Sequence, residues 1–134
     1  MPTSNATDIM SFHDPKTFAK EIESEFPASV RSTDAFVAVD YDFCFLFVNN
    51  AAAKFYKKSK TELIGKKVKD VFPELWEFGP FKNSRKEVVA RRHFEMTYQS
   101  PFTGQWVQLV GRPFEHYYTY TYNNIDEKSL CKRS

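Results

Sequence analysis

A chain of 134 residues, 42% of them hydrophobic, has the material for one core and no room for two. The formal charge of +2 is too small to point to a polyanionic partner, and two cysteines, Cys44 and Cys131, fall short of a disulfide framework or a zinc site. Aromatic side chains make up 17% of the sequence, which predicts a core of large rings on a β-rich sheet, a kind of core that often leaves a cavity.

The opening "MPTSNATDIM" lacks the basic start and apolar run of a signal peptide, and the longest apolar run, at 43–48, is far too short to span a bilayer. A cytoplasmic, reducing setting with no membrane attachment is the expectation, and the glycosylation match at Asn5 carries no weight without a secretory signal. Asp14 and Pro15 form an N-cap and first-turn pair. Phe18, Ile22 and Phe26 then recur at every fourth position until Pro27, which predicts a short amphipathic helix. Its apolar stripe should cover a core edge or a second copy of the chain, with Glu21, Glu23 and Glu25 toward water.

Positions 35–39 and 43–48 are β-branched and aromatic around the turn Asp40-Tyr41-Asp42, so they are expected to pair as a hairpin. Asn49 or Asn50 can cap the following helix, 51–57, by accepting from the otherwise unpaired amides of its first turn. In that role alone, replacing Asn49 by Ala would cost about 1 kcal/mol. Ser59 and Glu62 form a capping box for a second short helix that ends at Gly65, and a longer helix is expected from about 80 to 90.

The last third alternates. Phe94, Met96 and Tyr98 share one strand face, and after the turn at 101–104, Trp106, Gln108 and Val110 share one face of the partner strand. Beyond Pro113, Tyr118, Tyr120 and Tyr122 fall on one face of a third strand, with Tyr117, Thr119 and Thr121 on the other.

The stretch "FLFVNNAAAKFYKKSKTELIGKKVKDVFPE" resembles the N-terminal motif of the PAS sensor-domain family: an aromatic-Val-Asn strand end, an Ala-Ala helix, Ser-x-x-Glu-Leu-Ile-Gly and a closing Phe-Pro-Glu, with the spacings kept. Further on, "HFEMTYQSPFTGQWVQLVGRPF" is similar to the Phe-Glu, Tyr, Gly-x-Trp and Pro positions of PAS domains in bacterial histidine kinases and cyclic-dinucleotide signalling proteins. The resemblance covers residues 34–128 and implies an α+β fold: a five-stranded antiparallel sheet with short helices on one face, preceded here by a polar segment and the amphipathic helix within 1–33 and followed by a tail, 129–134. One departure stands out. Where the family ends its last strand with Asp-Ile-Thr-Glu, leading to an output domain, this chain has Asn124, Ile125, Asp126 and Glu127, so either a fragment of a receptor or a stand-alone protein that signals by association is expected.

The resemblance implies a ligand cavity between helices and sheet, for which the candidate lining is Phe45, Phe47, Phe55, Leu75, Trp76, Phe81, Met96, Tyr98, Trp106 and Gln108, with Asn49 as a structural cap. Each of the ten also reads as plain core packing. A flavin adduct would need a reactive Cys in the helix-side motif, where this chain has 51–58 without one, and Cys44 sits among strand Phe residues. Haem would need an axial ligand; His13, His93 and His116 all fall away from the long helix that supplies it in haem-binding relatives. No coloured cofactor and no metal is therefore expected. Lys54, Lys57, Lys58, Lys60, Lys66, Lys67 and Lys69 read as the wet faces of short helices rather than a nucleic-acid patch. The alternative function is a small cone-shaped α+β hydrolase or isomerase using Asp70, His93 or His116, which the sequence supports with no nucleophile–base pair and no paired carboxylates. The expected role is a non-catalytic sensor that binds a small ligand or associates as a homodimer or with a signalling partner.

Overall fold

On the last strand tyrosines and threonines alternate, so one of its faces is made entirely of rings, and this decides the layering of the molecule. The computed structural model describes residues 15–125. Two helices, α1 (Pro15–Glu25) and α2 (Pro27–Val30), lead into the hairpin β1 (Ala35–Val39) and β2 (Phe45–Val48). Five helices follow: α3 (Asn50–Tyr56), α4 (Lys60–Leu63), α5 (Val68–Val71), α6 (Pro73–Glu77) and α7 (Gly79–Val89). Three strands, β3 (Phe94–Gln99), β4 (Trp106–Pro113) and β5 (Tyr118–Asn124), close an antiparallel sheet of order β2-β1-β5-β4-β3. The α+β architecture with short helices on one sheet face is the one the sequence predicted.

The inner face carries Val37, Val39, Phe45, Val48, Leu109, Phe94, Tyr118, Tyr120 and Tyr122 against Ala52, Tyr56, Leu63, Phe72, Leu75, Phe81 and Val88 from the helical layer. Full burial of each such ring or branched side chain contributes roughly 1.5–3 kcal/mol, so this layer is the main source of stability. Gly111 lies under the stacked pair Phe94 and Tyr118, where a Cβ would collide with both side chains. Only glycine lets β4 pass there.

The outer face carries Phe36, Ala38, Leu46, Phe47 and Tyr117, and α1 lies on it with Phe18 and Ile22 buried. The apolar stripe expected to cover a core edge or a second copy is thus spent on the chain's own sheet. Phe26 continues the stripe past the helix end, edge-on to Phe114 at 5.1 Å. Sequence alone could not choose between these outcomes because both bury the same residues.

Two departures from the predicted hairpin have local causes. The Asp40 carboxylate accepts from the amides of Asp42 and Cys44 at 2.9 and 3.0 Å, and Phe43 takes a left-handed backbone with φ 63°, so the strand begins at Phe45 rather than at 43. The register then slips by one residue: Val39 faces Phe45 while Ala38 faces Phe47. This bulge ends the alternation of β2 between Phe45 and Phe47.

Candidate functional site

Asn49 does more than cap. Its Oδ1 accepts from the Ala52 amide at 2.8 Å, closing the first turn of α3, and also from the Phe36 amide at 3.0 Å. Its Nδ2 donates to the carbonyls of Ser29 at 3.1 Å and Asp34 at 3.0 Å. One buried amide therefore joins α2, the start of β1, the end of β2 and α3. Ser59 and Glu62 form the predicted capping box on α4, and hydrogen bonds from Ser59 hold the Glu62 carboxyl below its usual range.

Between the helical layer and the sheet the alternation of β5 brings tyrosines together. The Tyr56 hydroxyl donates to that of Tyr122 at 3.1 Å. Tyr120 is buried with Phe81 and Phe94 each 6.4 Å from its ring and Tyr118 at 5.5 Å, and its hydroxyl has no hydrogen-bond partner among the described residues. Burial pushes the phenols of Tyr56, Tyr98, Tyr120 and Tyr122 far up, so all four are neutral donors; Arg85 pulls Tyr120 weakly the other way. Arg85, on α7, stacks its guanidinium 3.9 Å over the Trp76 ring and has no ion-pair partner among the described residues.

Of the ten candidate lining residues, seven face this interior. Phe45, Leu75 and Phe81 are buried in it, and Phe55, Trp76, Met96 and Tyr98 are packed against it half-buried. The other three do not. Phe47 belongs to the outer cluster, turned there by the bulge in β2. Trp106 and Gln108 pair across the sheet with Gln99 and Thr97, opposite in face to the Met96–Leu109 and Tyr98–Val107 pairs that point inward. Gln108 instead reaches the exposed Glu95 carboxylate at 3.3 Å. Strand alternation shows which residues share a face and leaves open which face is inner; on β4 the small and branched residues go inward because β3 and β5 supply the rings.

Sequence reasoning missed Tyr120, Tyr122 and Arg85. The available signal was the run of tyrosines on one face, each with a polar tip that needs a partner when buried.

Clefts open from the described surface. One, of about 420 Å³, lies where Ser32–Ala35, the start of α3, Thr103 and the end of β5 meet, with the stacked Phe55 and Tyr122 rings in its wall. Another, of about 160 Å³, is lined by Asp42, Phe43, Lys67, Lys69 and Trp76. Cys44 is half-buried, and burial followed by the Asp40 carboxylate pushes its thiol up, away from nucleophilic reactivity. His93 lies beyond α7, half-exposed and 3.6 Å from the Glu95 carboxylate, and His116 lies between β4 and β5, 3.6 Å from Glu115. Among the described residues no group of three metal-ligating side chains occurs, and no helix is long and apolar enough to cross a membrane. His13, Cys131, Asp126 and Glu127 lie outside the described residues.

Comparison with known proteins agrees with this geometry. The family described as the PAS fold matches residues 30–119. Among solved structures, the PAS domain of Bordetella pertussis BvgS superposes with a TM-score of 0.65 at 11% identity, covering 85% of this chain and 93% of that one. The PAS domain of the Cronobacter turicensis RpfR quorum-sensing receptor, solved in complex with BDSF, gives 0.55 at 14%, covering 71% and 96%. The Rhodobacter sphaeroides LOV protein gives 0.61 at 12%, covering 81% and 69%. No curated protein sequence matches the chain. At these identities the structural likenesses speak for the fold alone, while the family match spans two thirds of the sequence and the sheet order, helical layer and aromatic interior agree with it: the chain belongs to the PAS family.

Proposed function

We propose that this chain is a non-catalytic cytoplasmic sensory and interaction domain of a signal-transduction protein such as a histidine kinase, with residues 34–128 as the sensing unit. It binds a small organic molecule between α6–α7 and the inner sheet face. The observation that carries this reading is the buried Tyr120 hydroxyl without an acceptor. An unpaired buried donor costs about 1–3 kcal/mol, and a ligand acceptor removes that cost. The wall beside it reaches the surface, since Trp76, Phe78, Met96 and Tyr98 are half-buried where Val37, Val48 and Leu63 are fully buried. Occupancy would shift α6–α7 against the sheet, a change between nearby packings. No haem or flavin is part of this reading, nor is nucleic acid; the lysines of α3 to α5 are exposed or half-exposed on helix surfaces. For the enzyme alternative, Asp70 on α5, His93 after α7 and His116 after β4 sit on three separate elements, and none lines either cleft.

Association follows a different surface from the one first expected. With α1 spent on the chain's own sheet, the uncovered part of the outer face presents Trp106, Gln108 and Val110, which would pair with a second copy. Native mass spectrometry on protein purified without unfolding, together with light scattering, tests both halves. A bound organic molecule and a dimer lost in Trp106→Glu are the expected results. A ligand-free monomer at tens of micromolar whose melting temperature no metabolite shifts would refute the reading.

A further inference from the structure

The larger surface cleft carries a charge of each sign, and neither is answered. It lies where the chain enters β1 and leaves β5, and α3 forms a second wall. Asn50 and Lys54 are four residues apart on α3 and so share one side of it, while Asp34 stands on the segment leading into β1. No ion pair joins Lys54 to Asp34, and neither side chain has an ion pair or hydrogen bond among the described residues. The apolar part of the lining is the Phe55 ring, stacked 4.8 Å from that of Tyr122. At about 420 Å³ the cleft has the size of a small-molecule site.

We infer that this cleft takes a free α-amino acid with an apolar side chain. Its carboxylate pairs with Lys54, its ammonium pairs with Asp34, and its side chain lies against Phe55 and Tyr122. A zwitterion answers both charges at once. A simple anion is drawn to Lys54 and repelled by Asp34, a cation the reverse, and a neutral molecule strips water from both without replacing it. The Asn50 amide, on the Lys54 side of α3, adds a donor for the carboxylate, and the Thr33 hydroxyl, next to Asp34 in the chain, adds an acceptor for the ammonium. This site is separate from the space between α6–α7 and the inner sheet face and does not rest on that reading, since Trp76, Phe81 and Met96 do not line it.

Amide NMR spectra of the full chain, titrated with phenylalanine, phenethylamine and hydrocinnamate, read this directly, because each analogue lacks one of the two charges. Phenylalanine should bind at least about fivefold more tightly than either. The shifted amides should be those of 32–35, 50–55, 103 and 122–124. Lys54→Met should bring phenylalanine down to the level of phenethylamine, and Asp34→Asn should bring it down to that of hydrocinnamate. Lys54→Arg should keep most of the binding. Both side chains are exposed, so the melting temperature of the free variants should match the wild type, which separates lost recognition from lost folding. Analogues that bind as well as phenylalanine, binding that neither substitution changes, or no amide shift at tens of millimolar would each overturn the inference. Shifts centred on Trp76, Met96 and Tyr98 would overturn it too, by moving the amino acid to the interior, and would leave the sensor reading standing.

Discussion

Asn49→Ala separates a helix cap from a tertiary latch. A cap alone is worth about 1 kcal/mol. Here the substitution removes four hydrogen bonds, to the amides of Ala52 and Phe36 and the carbonyls of Ser29 and Asp34. Asn49 is 1% exposed, so water does not readily replace its Oδ1 at the two amides. At roughly 1 kcal/mol for each bond, with partial rehydration of the two part-buried carbonyls, the expected loss is about 3–4 kcal/mol. Urea unfolding at unchanged m-value measures it, with Ser59→Ala as the benchmark for an exposed cap at about 0.5–1 kcal/mol. Asn49→Asp sharpens the comparison: it keeps both acceptor bonds but turns an anionic oxygen toward two carbonyls, so it should also be strongly destabilised near neutral pH. A loss near 1 kcal/mol in Asn49→Ala, or native stability in Asn49→Asp, would refute the latch and leave only the cap.

Ile22→Glu forces a charge into the seam between α1 and the outer sheet face and should cost more than about 3 kcal/mol, with aggregation rather than a stable monomer; a variant of unchanged stability by chemical denaturation would show that α1 is not docked in solution. Gly111→Ala should lose about 1–3 kcal/mol through overpacking against Phe94 and Tyr118, read as a lowered melting temperature. At alkaline pH the buried phenols of Tyr56, Tyr120 and Tyr122 stay protonated in the fold while unfolded tyrosines ionise at 10.0. Their contribution is full below that pH and is lost as pH rises toward the folded values, by about 1.4 kcal/mol per pH unit for each. Denaturation midpoints should hold steady to about pH 10 and then fall steeply, and tyrosinate absorbance that appears without unfolding would contradict this.

Local signals were legible wherever the chemistry is local. The capping box of Ser59 and Glu62 and the α3 cap at Asn49 lie where their spacing put them. The alternation of β5 correctly separated its tyrosines from its threonines. Choices between two buried faces were not legible. Trp106 and Gln108 share a face as predicted, but which face is inner depends on how much volume β3 and β5 bring, a property of three strands at once. The displacement of Phe47 needs the slip at Ala38 and Val39, which follows from the Asp40 turn and the left-handed Phe43 rather than from any periodicity. Asn49 shows both limits: its bond to Ala52 spans three residues and was foreseen, while its bonds to Ser29, Asp34 and Phe36 join segments that sequence spacing does not bring together.

The sheet order sets the first and last strands side by side at the centre, antiparallel, with Ala35 opposite Tyr122. The described fold therefore receives the chain from α2 and releases it after Asn124 at the same end. A pull between those two points loads the β1–β5 ladder as a zipper, one rung at a time, rather than in shear across all rungs at once. Such a joint resists little force by itself. At its mouth, however, sits Asn49, bonded to Asp34 and Phe36 on β1's side and to α3 on the other. Those bonds brace β1 against α3 and cross no rung of the β1–β5 ladder, so tension from the neighbouring segments can peel β5 away rung by rung while the Asn49 joint keeps β1 seated on the helical layer.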